Sequence, residues 1–227
     1  MIFQLVASNV TIYQTAQNDN LKDILSVDRF GRYLQWSGQD ELRAYELYAL
    51  NTQLSESLYT PLQMLEIALR NSIHRVLTAS YSEYWFDNSQ VISNSRQQAD
   101  IQNVKQTLRR NNLNQNPADI IASLTFGFWG TMLNRNYESL WRSDLHKIAI
   151  KDNGRRFARR NLADPISRIR KLRNRIAHHE PIIHWNLPRY HEEILNVTRW
   201  LSPAAENWSR YHSRFDGLYP DSQIELN

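Results

Sequence analysis

The chain contains no cysteine. A disulfide framework and a zinc site built on thiolates are both excluded by that absence, which also agrees with a reducing, cytoplasmic address. Glycine and proline are scarce, with six and seven in 227 residues, too few for the many tight turns of a β-sandwich or barrel. The glycines are scattered singly, so no phosphate-cradling loop can be drawn. No run of about 18 uncharged apolar residues occurs, which rules out a membrane-spanning helix. Residues 1–8 lack the basic start of a secretory signal peptide. There is no His-Glu-x-x-His, and His178, His179, Glu180 and His184 do not have ligand spacing on one helix face, so neither metal nor cofactor is expected.

What the chain does have is buryable surface: 41% hydrophobic residues, seven Trp and eleven Tyr. That amount describes a packed domain and not a charged linker. The net charge of +4 is unevenly spread. Residues 155–175 carry eight Arg and one Lys against Asp164, a local +8, so the remainder nets −4. A concentrated positive field points to an anionic partner more strongly than the whole-chain value does.

Apolar residues recur at three- and four-residue spacing, the mark of helices packed on one face. After Pro61 the stripe is Leu62, Leu65, Leu69, Ile73, Val76 and Leu77; before it, Leu42, Tyr45, Leu50, Leu54 and Leu58. Residues 21–36 carry a shorter pattern interrupted near Gly31. Further stripes are Ile166, Ile169, Leu172 and Ile176, then Tyr190, Ile194, Val197 and Leu201. Thr60-Pro61, Asn116-Pro117, Asp164-Pro165 and Ser202-Pro203 each set a capping residue before a proline, which reads as four helix starts. The two glycines of Phe126-Gly127-Phe128-Trp129-Gly130 suggest a close-packed helix junction. Another helix is expected over 131–150. The polar region 87–116 is a candidate long connection, with Val104 and Leu108 as signs of a helix inside it. The expectation is an all-α single domain over 21–210, with an N-terminal arm at 1–20 and an irregular tail at 211–227.

The densest chemical signal is Arg170-Lys171-Leu172-Arg173-Asn174-Arg175-Ile176-Ala177-His178-His179. On a helix Arg170, Asn174 and His178 share a face, while Ile169, Leu172 and Ile176 turn inward. Arg173 precedes His178 by five positions, about 140° round the axis. The two converge only if the Arg side chain sweeps across, if the last turn unwinds, or if a second copy of the chain supplies one of them. His178 and His179 also fit a bland role, meeting the last carbonyls of the helix. Glu66 and Arg70 are four apart on the helix after Pro61, with His74 one turn further along the same polar face; from the residues alone they read as an ion pair on a solvated face. Arg155, Arg156, Arg159 and Arg160 have helical spacing and could track phosphates. His191-Glu192-Glu193 reads as a solvated turn, and the aromatics as core before any base-stacking platform.

Arg173-Asn174-x-x-x-His178 resembles the Arg-x4-6-His signature of the HEPN superfamily of helical RNases. Leu65-Glu66-Ile67-Ala68-Leu69-Arg70-Asn71, Leu124-Thr125-Phe126-Gly127-Phe128-Trp129 and Trp185-Asn186 look like the Abi-like (abortive infection) branch, in the same order. The resemblance implies a HEPN-like helical bundle that dimerises into a metal-independent endoribonuclease, a growth-arresting toxin of phage defence. It assigns Arg173, Asn174 and His178 to catalysis, with Glu66, Arg70 and His179 in support. Arg155, Arg156, Arg159, Arg160, Arg170, Lys171 and Arg175 would hold RNA. The implied partners are RNA, a second copy of the chain and an RNA or protein antitoxin. The alternative from a different class is a catalytically silent helical module that binds RNA or a protein through the same basic face.

Overall fold

The computed structural model describes residues 24–150, 154–221 and 224–227; the arm expected at 1–20 lies outside them. The described residues form helices, with one isolated antiparallel bridge between Ile150 and Arg156. The first α-helices along the chain are α1 (Val27–Trp36), α2 (Glu41–Ser57), α3 (Tyr59–Ser80), α4 (Ser95–Arg110), α5 (Pro117–Ser123) and α6 (Phe126–Thr131). They are followed by α7 (Glu138–Ser143), α8 (Arg159–Ala177), α9 (Leu187–Leu201), α10 (Pro203–His212) and α11 (Phe215–Leu218). None is long and apolar enough to cross a membrane among the described residues.

The central helix is α3, and each residue of its apolar stripe is buried. It packs against α9 and α10 on one side and touches α2 and α6 on others, while α8 lies across α9 and α6. Helix starts follow local chemistry. Asn116 and Ser202 accept hydrogen bonds from Asp119 and Ala205 amides, each with Pro at the first helical position. Asp40, Asn94 and Asn186 cap α2, α4 and α9 in the same way. Such side chains satisfy amides that the helix itself leaves without a partner.

Several sequence expectations need correction. Asp164-Pro165 is not a helix start, because α8 begins at Arg159 and Pro165 lies inside it. Pro165 is buried and sits in the second turn, where the Asn161 carbonyl loses its donor. Arg155 and Arg156 therefore precede the helix, and the four-residue spacing with Arg159 and Arg160 is not a helical one. The helix expected over 131–150 breaks into α7 flanked by 3-10 turns at Arg135–Tyr137 and Leu145–Ile148. Gly31 does not interrupt α1. His191 is not on a solvated turn: it lies on α9, buried, with its ring stacked on Phe215 at 4.5 Å. The α2 stripe is also shifted. Leu42 is exposed, and the buried positions are Ala44, Leu47, Asn51, Leu54 and Ser57.

Residues 211–227 hold the end of α10 and all of α11. Beyond them Ile224 and Leu226 pack against the core, and the Asn227 amide donates to the Trp36 carbonyl at 3.0 Å.

Candidate functional site

Helix α8 presents the motif. Ile166, Ile169 and Leu172 anchor it in the core, Arg170, Lys171, Asn174 and His178 face solvent, and Arg173 is half-buried. Its C-terminus is closed by a Schellman arrangement. The Glu180 amide donates to the Arg175 carbonyl (2.8 Å) and the His179 amide to the Ile176 carbonyl (3.0 Å). His179 takes the left-handed conformation, φ 55°, that this closure needs. The His178 amide still reaches the Asn174 carbonyl at 2.9 Å, so the last turn is regular. Both His rings are exposed, and neither makes a hydrogen bond among the described residues.

Glu66, on α3, is half-buried. Burial pushes its carboxyl above the usual carboxylate range, while the Arg173 and Arg70 charges and the Phe126 amide pull the other way. The Glu66 carboxylate thus lies in the field of Arg173, with no ion pair between them within 4 Å among the described residues. Arg70 reaches the Asn71 side chain and the Ala122 carbonyl at the end of α5. His74 is occupied elsewhere: Trp85 Nε1 donates to its Nδ1 at 3.0 Å, and burial lowers its pKa. Helix α6 runs beside α8. A Cβ at Gly130 would sit 3.4 Å from Ile166, and one at Gly127 would sit 4.0 Å from the Arg170 guanidinium.

The basic run divides into free and engaged cations. Arg159 donates to Glu138 and to the Leu133 carbonyl, holding the α7 segment. Arg168 pairs with Glu193 on α9. Arg175 donates twice to the Pro181 carbonyl (3.1 and 2.9 Å), pairs with Glu180 at 3.2 Å and lies over the Trp185 ring at 5.3 Å. Arg160, Arg170 and Lys171 are exposed and have no such partners among the described residues. A cleft of about 590 Å³ between α8 and α9 takes in Arg160, Asp164, Arg168, Arg189 and Glu193, away from the motif end. Among the described residues no three or more His, Cys, Asp or Glu are grouped to hold a metal ion.

Sequence reasoning missed the parts contributed by distant segments. Asn51 Oδ1 accepts from the Ile182 and Ile183 amides (2.7 and 3.3 Å), fixing the chain where it leaves the motif. The signal was present as a polar residue that keeps the three- and four-residue spacing of Leu47, Leu54 and Leu58. Arg29 on α1 donates to the His178 carbonyl at 3.5 Å, a contact across 149 positions that no local pattern could announce.

A basic, solvent-facing helix end carrying Arg, Asn and His on an all-helical scaffold is the class of site the geometry defines. A family model described as Abi-like protein matches residues 13–184, and the chain belongs to that family. No curated protein and no solved structure matches the chain.

Proposed function

We propose that the protein is a HEPN-type endoribonuclease of abortive infection, acting as a homodimer in phage defence. The observation that carries this reading is the end of α8, where His178 stands in solvent with its ring nitrogens unengaged among the described residues, five positions from a half-buried Arg173 in the field of Glu66. Membership of the Abi-like family supplies the biological setting.

The chemistry suits these groups. The RNA 2′-oxygen bonds to phosphorus as its proton passes to a base, the bond to the 5′-oxygen breaks, and that oxygen takes up a proton. A 2′,3′-cyclic phosphate and a 5′-hydroxyl result. Imidazole titrates where such transfers are needed. Arg173 offers a planar fork of donors to the phosphate oxygens, on which charge gathers in the transition state, and Asn174 orients the phosphate beside it. Because the last turn of α8 is regular, Arg173 and His178 keep their angular offset of about 140°. That argues for the second copy: a two-fold axis near the helix ends brings two Arg and two His round one phosphate.

The test is induced expression of wild type beside His178→Ala, followed by assay of the purified proteins. The wild type is expected to arrest growth and degrade RNA, to resist chelation of divalent metals and to leave cyclic phosphate ends. His178→Ala should lose cleavage while keeping most RNA affinity, since one imidazole adds little to a field of several arginines. Full activity in His178→Ala, or a requirement for magnesium, would refute the mechanism.

A further inference from the structure

Helix α1 places Arg29, Arg32 and Trp36 at three- and four-residue spacing, hence on one face. Arg29 meets the His178 carbonyl, and Trp36 lies about 10 Å further along the axis. There the face meets the segment that follows the motif. The Arg32 guanidinium sits 5.7 Å from the Trp36 ring centre, and the Trp36 ring is 5.2 Å from that of His184. Trp185 Nε1 donates to His184 Nε2 at 2.9 Å. Trp36 is half-buried, while Arg32 and His184 are exposed.

Three features make this more than a core edge. The hydrogen bond from Trp185 requires an unprotonated Nε2, so the neutral His184 ring carries its proton on Nδ1, a donor without a partner among the described residues. Desolvation first, and then the Arg175 and Arg32 charges, both cationic, push the His184 pKa down. The ring is therefore an uncharged aromatic surface inside a positive field. Arg32, finally, has no carboxylate partner among the described residues. A flat neutral ring with an Nδ1 donor, flanked by a guanidinium that has no carboxylate partner among the described residues, matches a nucleobase with its phosphate.

We propose that Arg32, Trp36 and His184 form a seat for one unpaired base of single-stranded RNA, stacked on the exposed His184 ring, with Arg29 and Arg32 on the neighbouring phosphates. The proposal rests on the RNA-directed reading above and adds to it the strand form of the substrate and the direction it takes from the cleavage motif. The seat selects against duplex RNA, whose bases are not free to stack on protein.

The experiment compares binding of two uncleavable 2′-O-methyl strands of about ten nucleotides, one of uridines and one abasic at every position, by fluorescence anisotropy. One base–aromatic stack should favour the uridine strand by about 5- to 150-fold. His184→Ala is expected to remove that preference, His184→Phe to retain it within about threefold, and Arg32→Gln to weaken both strands alike. Trp36→Leu, with its fold checked by circular dichroism, should act like His184→Ala. A preference that is unchanged in His184→Ala, or absent in the wild type, overturns the seat. If the preference follows these variants in a protein that cleaves no RNA, the seat stands and the ribonuclease reading falls; cleavage without any such preference does the reverse.

Discussion

His179 holds a backbone conformation at φ 55° that costs a side chain of its kind about 1 kcal/mol and costs glycine little. His179→Gly should therefore stabilise the protein by roughly 0.5–1 kcal/mol, raising Tm by about 1–4 °C. Cleavage by the same variant distinguishes the two histidines, since only a catalytic His179 would be missed. Asn51 carries the opposite prediction. Asn51→Leu leaves two buried amides unsatisfied, at about 1–3 kcal/mol each, and frees the segment behind His178. Denaturant midpoints measure the first effect, and a fall in cleavage larger than the stability loss explains would reveal the second. Asp144 is a third residue with a readable role. Although burial raises its pKa, hydrogen bonds from Ser80, Ser143 and Lys147 bring it down to about 2. A carboxyl lowered on folding stabilises above the unfolded value and loses that contribution as pH falls toward 2. Asp144→Asn should flatten the acid limb of unfolding below about pH 4.

At the level of the helix, α8 shows what the sequence could and could not convey. Its apolar stripe and its basic outer face follow directly from residue spacing, and so does the exposed motif. Its start did not: Asp164-Pro165 has the look of a cap, yet the helix begins six residues earlier, where Asn161 Oδ1 accepts the Ala158 amide. Proline's local rule gave way at a buried Pro165. α2 was misread for a related reason, since an apolar count cannot see that a buried Asn is satisfied by amides 131 positions away. The arginines show the same limit, because a sum of charges does not reveal which cations already have partners. Arg160→Gln, Arg170→Gln and Lys171→Gln should each lower the salt slope of RNA binding by about 0.7, the share of one neutralised phosphate on a single strand. Arg168→Gln and Arg175→Gln should leave that slope nearly intact, because Glu193 and the Pro181 carbonyl hold those guanidiniums. Titration of affinity against salt separates the groups.

For the molecule as a whole, three histidines whose neutral form the fold favours set an acid limit well above that of Asp144. Burial lowers the pKa of His74, His184 and His191. A histidine whose folded value lies below the unfolded 6.5 leaves the unfolded state with more protons, so stability rises with pH through that window. Expressed the other way, it is lost as pH falls below about 6.5. Tm measured at pH 5.5 should be lower than at 7.5, and His191→Phe, which keeps the stack on Phe215, should reduce the difference. Equal Tm at both values would contradict the neutral assignments.

The tie between Asn227 and the Trp36 carbonyl bears on how the protein is handled. Anything joined after Asn227, whether an affinity tag or a fluorescent partner, leaves the fold beside Trp36 and would hang over the surface where the RNA base is expected to settle. A C-terminal hexahistidine tag would bring rings of its own to that place and could imitate or block the ligand.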